Sequence, residues 1–155
     1  VALAAIKYFD LSHNRSTEIV FTWEKALSFE GNTGPYLQYT HARIHGIFRK
    51  MGEDMASIKN AEFTGELAAQ ETAVLRKIQQ FAEIVESASE QYLPNIICNY
   101  LFELAQSFNA FYQEVPVLKE EDEAKRLMRL NLIKGTAQVL KNGLNLLGIE
   151  APEEM

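Results

Sequence analysis

Apolar residues recur at intervals of three and four positions along most of this chain, which is the period of an amphipathic α-helix. The clearest example starts near Thr33, which supplies a capping hydroxyl, and places Pro35 in the first turn, where a missing N–H breaks no hydrogen bond. The pattern predicts a helix from Pro35 to Met51 that ends at Gly52. The predicted core face of this helix consists of Leu37, Thr40, Ile44, Phe48 and Met51.

Less regular patterns lie on either side of this helix. Residues 1–10 are predicted as a short helix and residues 12–16 as a polar connection. Residues 17–30 are ambiguous, with Thr22 as the cap of a short helix that runs through Leu27. After a loop, residues 65–90 carry enough apolar positions to predict two helices.

The C-terminal third is predicted as two long helices. The first opens at Pro94 and has one apolar face, formed by Ile97, Leu101, Leu104, Ala105 and Phe108. The second begins in the acidic run 120–123, because carboxylates suit a helix N-terminus. Its core positions are Leu130, Ile133, Ala137, Leu140, Leu144 and Leu147. Since no segment alternates apolar and polar residues, the predicted fold class is an all-α helical bundle.

Composition is that of one ordinary globular domain. The 155 residues are 47% hydrophobic and 23% charged, which is enough to build a core. No apolar run approaches the roughly 20 residues needed to cross a bilayer, so no membrane partner is expected. The single cysteine, Cys98, cannot form an internal disulfide, fits a cytoplasmic location and is interpreted as a small buried apolar residue. Because the chain begins with Val1, it is expected to be cut from a longer protein.

Two tyrosines and an arginine lie beside the core face of the predicted 35–51 helix. Tyr36, Tyr39 and Arg43, here called the Tyr/Arg stripe, follow one another at positions i, i+3 and i+7. Two phenol rings and a guanidinium in this arrangement can stack on an unpaired base and hold its phosphate. The simpler interpretation is an amphipathic rim, in which the phenols cover the core and Arg43 pairs with an acid. The net charge of −6 argues against an extended nucleic-acid surface, so any RNA contact is expected to be local.

Other patterns predict no catalytic or metal site in this chain. His41 and His45 have the i, i+4 spacing of metal ligands, but the chain has only three histidines and no HExxH motif. Neither GxGxxG nor GxxxxGK[ST] occurs, and no serine or cysteine has the partners of a nucleophile. No metal, no bound cofactor and no catalytic residue are therefore predicted.

Residues 31–44, GNTGPYLQYTHARI, resemble the start of the C-terminal anticodon-binding domain of arginyl-tRNA synthetase, of the type called DALR. Further similar segments follow in the family's order: AIKYFDLS at 5–12, FTW at 21–23, FNAFY at 108–112 and the ending that runs from VLKNGL to LGIEAPEEM at 139–155. The resemblance covers essentially the whole chain. It implies a helical bundle of the class I synthetase anticodon-binding type, with residues 1–21 connecting to an absent catalytic domain and residues 22–155 forming the anticodon-binding domain.

The resemblance also implies a partner and its contacts. The partner is the anticodon loop of arginine tRNA, and the Tyr/Arg stripe supplies the base and phosphate contacts. It adds Tyr112, which periodicity alone places in the core, and Met155, which would otherwise be frayed at the chain end.

Two further residues are secondary candidates. Asn109 is polar in an apolar helix and is interpreted as a buried hydrogen-bonding residue, with base reading as the alternative. Arg129 belongs to a basic group with Lys125 and Arg126, which the acids at 121 and 122 predict to be a solvated, ion-paired face.

The activity implied by the resemblance lies outside this chain. The full-length enzyme would be an ATP-dependent arginine–tRNA ligase that uses ATP and Mg²⁺, works as a cytoplasmic monomer and carries its catalytic domain in the same polypeptide. The present chain contains none of the family's activation motifs, so it is expected to be inactive alone. The literal Asp-Ala-Leu-Arg string is also absent, and LIKGTA stands at 132–137.

Two other functions stay open at this point. One is a helical protein-interaction module whose Tyr/Arg stripe docks a partner helix. The other is the anticodon-binding domain of a different class I synthetase. Salt dependence separates the first from RNA binding, because RNA affinity falls steeply as salt rises.

Overall fold

The computed structural model describes residues 1–155 and contains six α-helices and no strand. The helices are α1 (Ala2–Leu11), α2 (Trp23–Ala26), α3 (Gly34–Met51), α4 (Ala69–Gln91), α5 (Asn95–Glu114) and α6 (Glu123–Leu146), with a 3₁₀ turn at Met55–Ser57. The predicted all-α bundle is confirmed. None of these helices combines the length and the apolar character that crossing a membrane requires.

Helix α3 begins and ends as the sequence predicts. The Thr33 hydroxyl accepts a hydrogen bond from the backbone N–H of Tyr36 at 3.2 Å, which caps the first turn. Gly52 ends the helix with φ 68°, a left-handed conformation that glycine adopts without strain. The predicted core face is buried from Leu37 to Phe48, and Met51 is half-buried at its end.

Helices α5 and α6 pack with α3 around one hydrophobic core. All the apolar positions predicted for these two helices are buried. The Asp122 side chain caps α6 by accepting a hydrogen bond from the backbone N–H of Lys125 at 3.1 Å, which agrees with the predicted acidic start. Cys98 of α5 is fully buried, as interpreted, and burial raises the pKa of its thiol to about 12.

Helix α4 corrects the prediction of two helices within residues 65–90. It is a single helix of 23 residues, and no glycine or proline lies inside it to break it. Only Glu71, Val74 and Ala88 are buried, because α4 packs mainly on α5 at the edge of the bundle. Several apolar residues of α4 are only half-buried, so its apolar face is irregular in the sequence. This irregularity led to the prediction of two short helices.

The N-terminal helix α1 packs directly against the start of α3. Ala4 and Tyr8 belong to the core, and the Tyr8 hydroxyl lies 2.8 Å from the carbonyl oxygen of Cys98. The approach is close because Gly34 has no side chain: a Cβ there would lie 2.6 Å from the carbonyl oxygen of Ala4. The predicted connecting segment therefore contributes to the core of the bundle, and the boundary between residues 21 and 22 stays a prediction.

Exposed large hydrophobic side chains are concentrated near the N-terminus. Nine of the fourteen in the chain lie within residues 1–29. Leu3 is 73% exposed and Val20 is 81% exposed, and Phe21 and Trp23 form an edge-to-face pair with ring centroids 5.0 Å apart. Exposed apolar side chains are therefore denser in this segment than in the rest of the chain.

Candidate nucleic-acid interface

The Tyr/Arg stripe lies at the edge of the α3 core face, as its spacing predicts. Tyr36 and Arg43 are half-buried, and Tyr39 is 48% exposed. The ring of Tyr36 packs edge-on against Phe102 of α5, with ring centroids 5.6 Å apart. The stripe therefore runs from a packed tyrosine to an open one and then to a half-buried cation.

Asn109 of α5 joins the two ends of this stripe. Its side-chain amide donates to the Tyr36 hydroxyl at 2.9 Å, and its Oδ1 accepts from Nη1 of Arg43 at 2.9 Å. The interpretation of Asn109 as a hydrogen-bonding residue agrees with these contacts, although the bonds reach the candidate site and not a separate core position.

Arg43 forms no ion pair with any carboxylate. Its guanidinium carbon instead lies 5.4 Å from the centre of the Tyr112 ring, within the range of a cation–π interaction. The expectation that Arg43 would pair with an acid, which belonged to the simpler interpretation, is therefore wrong. Asn109 and Tyr112 hold the guanidinium of Arg43 in place, and neither residue neutralises its charge.

Tyr112 is both a packing residue and a surface residue. Its ring stacks on Phe108 of the same helix, with centroids 5.9 Å apart and an interplanar angle of 18°. The residue is only half-buried, whereas Phe108 is fully buried. Four of the candidates, Tyr36, Arg43, Asn109 and Tyr112, thus form one connected cluster between α3 and α5.

Tyr39 and Met155 line a shared groove. The groove also includes Phe29, Gln38, Glu150 and Pro152. Phe29 is 50% exposed and stands edge-on to Tyr39, with ring centroids 6.3 Å apart. Met155 is 53% exposed, so the last side chain of the chain presents its thioether beside Tyr39.

The C-terminal tail, residues 149–155, follows α3 instead of fraying. Arg49 donates to the carbonyl oxygen of Glu153 at 2.9 Å, and its guanidinium lies 3.6 Å from the carboxylate of Glu154. His41 bonds through Nδ1 to the carbonyl oxygen of Pro152 at 2.7 Å. His41 is one of the two histidines with metal-ligand spacing, and its Nδ1 is already used in this hydrogen bond within the chain.

Arg129 requires a correction. It is buried, and its guanidinium bonds to Glu71 at 2.5 Å and also to Glu120 and the carbonyl oxygen of Pro116. The predicted solvated face is wrong for this residue, because its partners come from α4 and the loop before α6 and not from the preceding turn. A guanidinium held by two carboxylates has little charge left to attract a phosphate.

Sequence reasoning missed two aromatic residues and one amide at this site. Phe29 lies in the stretch that had no clear period, and Phe102 faces Tyr36 from the flank of α5. Gln38 is 4% exposed and donates to the carbonyl oxygen of Glu150 at 2.8 Å. The only sign in the sequence that Gln38 is buried was its position directly after the core residue Leu37.

Comparisons with known proteins agree on one family. The model of the DALR anticodon binding domain matches residues 37–155. An arginine–tRNA ligase of Vibrio parahaemolyticus is 47% identical over 156 residues, which is all of this chain and 26% of the ligase. A ligase of the same name from Prochlorococcus marinus is 46% identical over 155 residues, again all of this chain and 25% of the ligase.

Solved structures give the same result. Arginyl-tRNA synthetase of Thermus thermophilus superposes with a TM-score of 0.89 and 39% identity over 99% of this chain and 26% of that one. The enzyme of Plasmodium falciparum gives 0.86 and 30%, over 99% of this chain and 27% of that one. The chain thus spans about a quarter of the length of the relatives that it matches.

Proposed function

The chain belongs to the family of DALR anticodon-binding domains, and from this premise we propose that it binds the anticodon loop of arginine tRNA on the surface formed by the Tyr/Arg stripe. In this proposal an unpaired base stacks on Tyr39, and Arg43 holds a neighbouring phosphate. Tyr112 and Asn109 keep the guanidinium in place, and Met155 closes the groove from the tail side.

The observation that carries this proposal is the unpaired charge of Arg43. The chain has 21 acidic and 15 basic side chains, yet none of its ion pairs includes Arg43. A half-buried guanidinium without a counter-ion is unfavourable for stability alone, whereas a phosphate would complete its coordination. Stacking on Tyr112 leaves guanidinium N–H groups free for that phosphate.

The rest of the activity belongs to parts that this chain does not contain. We propose that the catalytic domain of a longer arginine–tRNA ligase binds ATP, Mg²⁺ and arginine, and that the present chain alone forms no arginyl-adenylate. The exposed apolar surface of residues 1–29 is suited to packing against that domain, because patches of this kind mark protein contacts.

The proposal is tested by titrating an arginine-tRNA anticodon stem-loop with the 155-residue chain and its variants. Tyr39→Ala should weaken binding by about 1–3 kcal/mol, the range for losing one stacked base. The matched control is Tyr92→Asn, which removes a tyrosine that is 79% exposed at the end of α4. Asparagine suits that position because it tolerates the φ of 54° found there.

Two results would contradict the proposal. One is equal affinity of the wild-type chain for a loop whose middle anticodon base has been replaced, since the resemblance to arginyl-tRNA synthetases implies that this base is read. The other is equal loss of binding in Tyr39→Ala and Tyr92→Asn, which would indicate unspecific contact with exposed aromatic rings.

A further inference from the structure

Side chains of α3 bind the backbone of the C-terminal tail, and we infer that Gln38 and His41 are positioning residues that seat Met155 in the groove beside Tyr39. The consequence for RNA binding rests on the proposed function. The attachment of the tail to α3 does not depend on that function.

The two attachments are hydrogen bonds from buried side chains to tail carbonyls. Nε2 of Gln38 donates to the carbonyl oxygen of Glu150 at 2.8 Å, and Nδ1 of His41 donates to that of Pro152 at 2.7 Å. The donors are 4% and 0% exposed, so water cannot readily replace either bond. Arg49 adds a more exposed bond to the carbonyl oxygen of Glu153.

The positions of Gln38 and His41 on α3 place the tail beside the groove. Gln38 and His41 are three positions apart, so they lie on one side of α3, and Gln38 lines the same groove as Tyr39 and Met155. Three residues of extended chain reach about 10 Å, so a tail fixed at Pro152 keeps Met155 near the groove. A tail released at both points would keep only the exposed contacts with Arg49, so Met155 would sample a larger volume.

The remaining polar atoms of Gln38 and His41 argue against a purely structural role. Oε1 of Gln38 and Nε2 of His41 are buried and have no hydrogen-bond partner. A buried atom without a partner is costly, and apolar residues of similar size would avoid that cost. Gln38 and His41 hold the tail by hydrogen bonds, which an apolar pair could not form.

The test measures the tail and RNA binding separately in the 155-residue chain. The double variant Gln38→Met/His41→Leu removes both donors while keeping volume. His41→Asn retains an amide donor close to the position of Nδ1 and serves as the conservative rescue. Asn131→Leu is the matched control, because its amide donates to the carbonyl oxygen of Lys59 at 2.9 Å and so holds a different loop.

The first measurement is release of Met155 by carboxypeptidase Y. The double variant should release it about tenfold faster than wild type, since two buried hydrogen bonds are lost. His41→Asn and Asn131→Leu should remain within about twofold of wild type. A melting curve for each variant is recorded at the same time, and if the double variant is unfolded at the assay temperature, Gln38→Met alone takes its place. An unchanged release rate in a folded donor variant would overturn the attachment, whatever happens to RNA binding.

The second measurement is affinity for the anticodon stem-loop. The dissociation constant of the double variant should rise as much as that of a chain lacking Met155. A tail that is freed without any loss of affinity would overturn the seating role, while the effect of Tyr39→Ala would still decide the proposed function. If the wild-type chain fails to bind the loop, the seating role and the proposed function both fail, and the protease result still decides the attachment.

Discussion

The guanidinium of Arg129 lies between carboxylates that come from distant parts of the chain. Glu71 is 1% exposed and also accepts a hydrogen bond from the backbone N–H of Ala68, so it fixes the start of α4 as well as pairing with Arg129. Removal of one member of such a pair leaves a buried charge without a partner. This pair therefore ties α4 to α6, and neither residue belongs to the proposed RNA surface.

We predict that Arg129→Ala lowers the free energy of unfolding by about 3–5 kcal/mol, because Glu71 loses its buried counter-ion. Urea denaturation measures this loss, and the affinity of the folded variant for the stem-loop should equal that of wild type. Arg126→Ala is the control: this arginine pairs with Glu53 at 3.5 Å near the surface, and its loss should cost at most about 1 kcal/mol. A stable Arg129→Ala variant with weakened RNA binding would restore Arg129 as a phosphate contact.

His41 makes stability depend on pH. Burial lowers the pKa of His41 below its usual value, His45 and Lys141 lower it further, and the bond to Pro152 and the charge of Glu153 oppose the shift. The folded chain therefore binds this proton less readily than the unfolded chain does. Stability from the neutral imidazole is complete above the unfolded pKa of about 6.5 and is lost as the pH falls through the folded pKa.

The prediction is that the melting temperature of wild type falls more than that of His41→Asn between pH 7.5 and pH 5, because asparagine does not titrate. His45, whose pKa burial also lowers, is present in both proteins, so the difference reports His41 together with its coupling to His45. Parallel melting curves over this range would show that protonation of His41 has no effect on the fold.

At the scale of the elements, two glycines allow two close helix contacts of different kinds. At Gly34 a Cβ would meet the carbonyl oxygen of Ala4 at 2.6 Å and Cβ of Tyr8 at 2.9 Å, so backbone of α1 would have to move. At Gly135 in α6, a Cβ would meet only Cδ1 of Ile78 at 3.2 Å, the end of a flexible side chain. The same substitution should therefore have opposite effects at the two sites.

We predict that Gly34→Ala destabilises the chain by about 1–3 kcal/mol, because it overpacks the contact between α1 and α3. Gly135→Ala should be neutral or stabilise it by up to about 1 kcal/mol, the gain in helix propensity of alanine over glycine. Chemical denaturation of the two variants measures both effects. Equal destabilisation would mean that α4 cannot adjust at Ile78.

The helices with regular apolar stripes could be predicted from the sequence, whereas contacts between distant segments could not. The period of three and four identified α3, α5 and α6 together with their buried positions, because each has one face in the core. The same period did not identify α4 as one helix, because α4 lies at the edge of the bundle and has few buried residues. Tyr36, Tyr39 and Arg43 could be proposed as candidates because their order on one helix is local information. Asn109 as the link between them, Glu71 as the partner of Arg129 and the bonds from α3 to the tail depend on residues 58 to 112 positions apart.

At the scale of the whole molecule, the net charge does not favour an extended RNA-binding surface. The net charge is −6, and Arg43 is the one cation in the cluster with Tyr36, Asn109 and Tyr112. Any attraction to phosphate therefore arises at a single point. A long basic surface would produce a much stronger response to salt.

We predict that log K for the stem-loop falls with log salt with a slope of about −1, since a single strand contributes about −0.7 for each neutralised phosphate. Arg43→Ala should reduce this slope, while Tyr39→Ala should lower the affinity and leave the slope unchanged. The measurement is a titration at several potassium chloride concentrations. A slope of about −4 or steeper would indicate a basic surface that the cluster does not provide.

The hydrogen bonds to the tail all end on backbone carbonyl oxygens, at residues 150, 152 and 153. Every amino acid has this oxygen, so these three bonds do not depend on which side chains the tail carries. A substitution of Glu150 or Glu153 therefore keeps these bonds, whereas loss of the donors Gln38 and His41 removes two of them. In this domain the information that places the last residue is stored more than a hundred positions away from it.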